Sequence, residues 1–227
     1  MHGAPGVTHA PATQTSPAPQ QIERSAPHRT LEGQAGLGRA LLAEGQHEKA
    51  LVPLQKAVKS DGKDPVARRA LGECLLALQR TAEGRKELEQ AVKLDPKDPL
   101  AARSLAEFLL RMGEAEAAGR VAEGLAKADP RSAMAPFLRG LALDRQGKSK
   151  EAIAAYEDAL EKDPRFLDAH KNLAILCIAD NPSYTDGERT RKALDHFGKY
   201  FELGGKDEEL KSTYETIKSF MGGNRGK

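Results

Sequence analysis

Small and aliphatic residues return along this chain on a fixed step of 34 positions. Gly38, Gly72, Ala106, Gly140 and Ala174 form one series, and Leu41, Leu75, Leu109, Leu143 and Cys177 form a second, three residues further on. Ala50, Gly84, Ala118 and Ala152 form a third, while Gly62, Pro96, Pro130 and Pro164 close the blocks. A period of this length marks a supersecondary unit that cannot bury its apolar face alone and stacks on its neighbours. Each block reads as two helices and a short turn. Pro65 and Pro99 stand at helix starts, where a missing N–H costs nothing. Gly45, Gly113 and Gly147 stand where a helix C-cap needs a left-handed residue. Gly38, Ala50 and their equivalents let the paired helices approach closely.

The units are 31–64, 65–98, 99–132, 133–166 and 167–205. In the first, helices are expected near Leu31–Glu44 and His47–Ser60. In unit four, Pro136 is expected to shorten the first helix. Unit five departs from the pattern: its first helix, Leu167–Ala179, leads into a long connection, DNPSYTDGE, before the chain resumes a helix over Gly187–Leu203. Residues 206–220 then read as a capping helix with Leu210, Tyr214, Ile217 and Phe220 on its apolar face. Residues 221–227 read as a disordered tail, and the Pro/Ala-rich residues 1–28 as a disordered tether. The fold class is all-α: a solenoid of five helical hairpins and a cap.

Composition narrows the function. Lys and Arg number 35 against 33 Asp and Glu, a net charge of +2, which is no electrostatic footprint for nucleic acid. Aromatic residues are 4% of the chain, as suits thin helices packed through Ala and Leu. No stretch approaches the roughly 20 apolar residues of a membrane span. Cys74 and Cys177 lie three repeats apart, too far for a disulfide, and are expected to be free, buried thiols. That favours the cytoplasm, with a periplasmic or outer-membrane-tethered form as the alternative if an N-terminal signal has been removed.

Blocks such as LGECLLALQRTAEGRKELEQAVKLDPKD and RGLALDRQGKSKEAIAAYEDALEKDPRF resemble tetratricopeptide repeats in their period, their Leu-Gly pair, their mid-unit Ala and their closing Asp-Pro. The resemblance covers about Leu31 to Gly205. The family's frequent Trp is replaced by Gln34, Arg68, Ala102, Pro136 and His170, and Leu125 stands where Ala is usual. The resemblance implies a right-handed superhelix that binds a protein or peptide partner in its concave groove, with no catalysis and no cofactor. The helix LDHFGKYFEL and the long turn before it are similar to repeat proteins of bacterial gliding and secretion machinery. That likeness implies the alternative of an exported or lipid-tethered assembly factor.

By the same resemblance, the groove is lined by Arg39, Arg69 and Glu73, Arg103 and Glu107, Phe137 and Leu141, and Lys171, with Arg111, Asn172, Ser104, Asp144 and Arg145 sharing the wall. Arg69, Arg103 and Lys171 would meet an anionic group such as a carboxylate, and Phe137 with Leu141 would form an apolar pocket. The competing reading is that Arg69–Glu73 and Arg103–Glu107 neutralise each other at i,i+4 spacing. In the long turn, Pro182 and Tyr184 are a further candidate contact. His170, Cys177 and His196 could converge on paired helices as a nucleophile or metal site, yet Cys177 holds a repeat core position and no metal-binding or catalytic motif accompanies it.

Overall fold

The repeat pattern becomes eleven helices among the described residues, 26–179 and 186–223, of a computed structural model; no strand accompanies them. Five hairpins follow one another: α1 (Ala26–Ala43) with α2 (His47–Ser60), α3 (Pro65–Ala77) with α4 (Thr81–Leu94), α5 (Pro99–Arg111) with α6 (Ala115–Ala128), α7 (Met134–Arg145) with α8 (Ser149–Lys162), and α9 (Leu167–Ala179) with α10 (Gly187–Glu202). A last helix, α11 (Glu208–Gly223), packs on α10.

The boundaries have local causes. Asp64 accepts hydrogen bonds from the Val66 and Ala67 N–H groups at 2.9 and 3.1 Å, and Asp98 accepts one from Leu100 at 2.9 Å. Each caps a helix whose first residue is proline. Inside the hairpins the chain turns through a left-handed residue: Gly45, Gly113 and Gly147 at φ of 72°, 78° and 73°. Between hairpins, Asp61, Asp95, Asp129 and Asp163 each accept a bond from the N–H two residues on. This Asx turn repeats at the 34-residue step, once at each junction between successive hairpins.

Packing explains the small residues. A Cβ on Gly38 would lie 2.5 Å from Leu54, one on Gly72 2.8 Å from Leu88, and one on Gly140 2.5 Å from the Tyr156 ring. The third hairpin carries Ala106 at the glycine position and, correspondingly, the small Ala122 where its siblings carry Leu54, Leu88 and Tyr156. Both alanines are buried. The main core runs unbroken from Leu88 on α4 to Ile217 on α11. A smaller cluster around Ala50, Leu54 and Cys74 holds the first two hairpins.

The first helices α1, α3, α5 and α7 touch one another in succession, whereas successive second helices make no comparable contact. The first helices therefore form the inner wall and the second helices splay on the outside. Two expectations need correction. Helix α1 begins at Ala26, so residues 26–28 are helical and not tether; Pro27 falls in the first turn, where its missing N–H is tolerated. Residues 1–25 lie outside the described residues. Helix α11 runs on to Gly223, past the expected end, and its apolar stripe is Leu210, Tyr214, Ile217 and Met221, at steps of four, three and four. Phe220 falls off that stripe and is 40% exposed. Helix α7 is one residue shorter than α3, α5 and α9, and Pro136 lies in its first turn.

Candidate functional site

The inner wall is built from one face each of α3, α5, α7 and α9, and nearly every charge on it already has a partner. Arg69 donates to Glu73 at 3.0 Å, with Asp98 3.7 Å away, and the Ser104 hydroxyl donates to Glu73 at 2.6 Å. Arg103 lies 2.7 Å from Glu107 and 2.9 Å from Asp168. Lys171 lies 3.1 Å from Asp207, at the base of the capping helix. The Leu210 N–H and then the Lys171 ammonium hold the Asp207 carboxyl below its ordinary pKa. The i,i+4 pairing visible in the sequence thus forms, and each pair with arginine recruits a second carboxylate from a neighbouring hairpin or loop. An anion arriving at Arg69, Arg103 or Lys171 would have to displace these carboxylates.

Two adjoining hollows remain between these ladders. One, of about 360 Å³, is lined by Glu73, Ser104, Glu107 and Arg111. The next, of about 420 Å³, gathers Arg103, Glu107, Arg111, Leu141, Arg145 and Asn172, with Phe137 at its base. Arg111 and Arg145 are exposed on this wall and have no carboxylate partner among the described residues. The two arginines flank half-buried Leu141 and buried Leu110. The hollow therefore joins an apolar patch to two uncommitted guanidinium groups.

Eight of the expected groove residues, Arg103, Glu107, Arg111, Phe137, Leu141, Arg145, Lys171 and Asn172, meet at this second hollow. Phe137 is a correction: it is 2% exposed and stacks 4.7 Å from Phe166 and 5.8 Å from Tyr156, so it is a core residue whose edge floors the hollow. Arg69 and Glu73 lie one hairpin away, and Arg39 stands exposed on α1. Pro182 and Tyr184 lie outside the described residues. The partners Asp98, Asp168 and Asp207 were not singled out from the sequence. Only the stacking of the elements brings them to the wall.

The histidines do converge. His170 Nδ1 lies 2.9 Å from His196 Nδ1, and His170 Nε2 lies 3.0 Å from the Pro164 carbonyl. A carbonyl only accepts, so His170 carries its proton on Nε2, and His196 Nδ1–H donates to His170 Nδ1. Burial, reinforced by His170 and Lys192, lowers the His196 pKa to about 4. Cys177 is 1% exposed, burial raises its pKa, and among the described residues no hydrogen bond joins it to either ring. Cys74 donates to the His47 carbonyl at 3.2 Å, and both thiols are free and buried. Among the described residues no three His, Cys, Asp or Glu side chains come together as a metal-ligand group. No described helix is long and apolar enough to cross a membrane.

Stacked helical hairpins with a continuous apolar seam and an open charged inner wall define a solenoid repeat protein, a class that offers an extended surface in place of an enclosed active site. The particular family follows from its repeats: models of the tetratricopeptide repeat match residues 41–104, 103–166 and 137–187, and the chain belongs to that family. Solved structures agree on the fold. TTC0263, a protein of Thermus thermophilus, is 24% identical, with 82% of this chain and 98% of that one covered at a TM-score of 0.64. PilF of Pseudomonas aeruginosa is 18% identical, covering 84% and 89% at 0.66. MamA of Desulfovibrio magneticus is 24% identical, covering 76% and 94% at 0.55. No curated protein matches the chain. The family and its fold are typically non-catalytic and serve protein–protein interaction.

Proposed function

We propose that this chain is a non-catalytic adaptor whose inner wall holds an extended segment of a partner protein, one that carries an acidic group beside an apolar side chain. The observation that supports this reading is the pairing pattern on the wall. Arg69, Arg103 and Lys171 are neutralised within the chain, whereas Arg111 and Arg145 flank an apolar hollow with no carboxylate of their own among the described residues. A partner carboxylate receives a bidentate bond from either guanidinium, and its neighbouring aliphatic side chain sits on Leu141 and Leu110. The paired charges around the hollow favour a specific register over raw affinity.

A random peptide library selected on the full chain tests the idea. Acidic–aliphatic peptides should be enriched. Their affinity should fall about tenfold or more in Arg111→Glu/Arg145→Glu, in line with the loss of a charge-assisted contact. Selected peptides without acidic residues, or peptides that bind the double variant equally, would refute the reading. Both arginines are exposed, so the variant keeps its helicity, and circular dichroism verifies that.

A further inference from the structure

A second pocket opens on the outer face, between α6 and α8 and over the first turns of α7, with a volume of about 490 Å³. Its floor is Ala122, Ala126, Ala135 and Pro136, and its rim is charged. Three of its residues differ from what most sibling hairpins carry at the same place. Ala126 stands where the others carry Val58, Val92 and Leu160. Arg139 stands where they carry Leu37, Leu71, Leu105 and Leu173. Glu161 stands where the first three hairpins carry Lys59, Lys93 and Lys127, and the fifth carries Glu202. Internal packing accounts for Ala122, which answers Ala106, but it accounts for none of these three. The first removes a side chain from the mouth of the pocket. The other two replace the repeat's residues with charges at its rim.

The rim charges are unequally committed. Arg139 is ion-paired with Asp158, and the Lys162 ammonium donates to the Pro130 carbonyl. Glu123 and Glu161 are exposed and have no basic partner among the described residues. We propose that this outer pocket is a second docking site, for an arginine or lysine side chain of a partner protein. The aliphatic stem of that side chain lies along the alanine and proline floor. Its cationic head is held by Glu123 and Glu161, with arginine favoured because its planar fork can bridge two carboxylates. The site is independent of the inner-wall hollow, and the two sites select partner segments of opposite charge.

The test is an amide-resolved NMR titration of the full chain with the acetylated, amidated tripeptides Ala-Arg-Ala, Ala-Glu-Ala and Ala-Leu-Ala. The arginine peptide should shift the amides of Ala126, Arg139 and Glu161 in a saturating manner, and the other two peptides should not. Ala126→Val and Glu161→Lys each install the residue that sibling hairpins carry, so they are compatible with the fold. Each should weaken the response by about tenfold. Arg111→Glu/Arg145→Glu should leave it unchanged, which separates this site from the groove. Equal shifts with the glutamate or leucine peptide, shifts away from the pocket, or an undiminished response in both pocket variants would overturn the proposal. The comparison of the three peptides on the unaltered chain decides the matter even if a variant folds poorly.

Discussion

Gln79 holds a φ of 60°, at the position where the other tight hairpins use Gly45, Gly113 and Gly147. A side chain in the left-handed region costs about 1 kcal/mol, because its Cβ crowds the following carbonyl. Gln79→Gly should therefore stabilise the chain by about 0.5–1 kcal/mol, read as a higher urea midpoint at unchanged slope. The converse applies at the helix crossing of the second hairpin, where a Cβ on Gly84 would lie 2.6 Å from Leu76 and 3.0 Å from the Gly72 carbonyl. Backbone cannot give way there as a side chain can. Gly84→Ala should destabilise by about 1–3 kcal/mol in the same assay, despite its better helix propensity. Both positions were legible from the period alone, because the repeat itself shows what each place requires. Phe137 was not: it occupies a place that faces the groove in the family, and only its stacking on Tyr156 and Phe166 turns it into core.

At the scale of elements, the helix pair α9 and α10 carries a titratable latch. Its first helix keeps the 34-residue register, its second resumes out of that register after the long connection, and the two bring His170 and His196 together. Which atoms meet, and with which proton, depends on the Pro164 carbonyl and had no signal in the sequence. The folded pKa of His196, about 4, lies below its ordinary value near 6.5, so the unfolded chain binds this proton more readily. The stabilisation is complete above about pH 6.5 and is lost as pH falls towards 4. It amounts to about 2 kcal/mol, allowing for the solvent that reaches the ring. Asp195, Glu157 and Lys192 also face this imidazole and modulate its field. In denaturant melts at pH 7 and pH 4.5, His196→Asn should lose less stability on acidification than the unaltered chain; equal losses would exclude the latch. The capping helix shows the same division between pattern and geometry. Its stripe of Leu210, Tyr214 and Ile217 was evident, whereas the ion pair from Asp207 to Lys171 appears only when α11 folds back onto the fifth hairpin.

Across the whole molecule, small and aliphatic side chains join the hairpins through two clusters that meet at the second hairpin, and α11 covers the fifth. Leu37 on α1 is 49% exposed, while its equivalents Leu71, Leu105 and Leu173 are at most 5% exposed, because among the described residues no helix packs over the first hairpin on that side. Removing residues 206–227 would expose the Phe197–Tyr200–Phe201 surface on α10 in the same way. It should lower the melting temperature by several degrees and promote association, measured by light scattering. The helical solenoid was readable from spacing, whereas the position of the wall was read from the family resemblance. The i,i+4 pairs of its electrostatics were visible too, but the further carboxylates Asp98, Asp168 and Asp207 were not, since each comes from another hairpin or loop and is brought in by stacking. The central claim is that the inner wall holds an acidic partner segment through the two arginines left unpaired. The most direct measurement is of the Arg111 and Arg145 side-chain Nε–Hε resonances while a selected acidic peptide is titrated into the full chain. The account requires both signals to shift and saturate together, with Arg69 and Arg103 little changed. Saturable binding that leaves both Arg111 and Arg145 unmoved would contradict it.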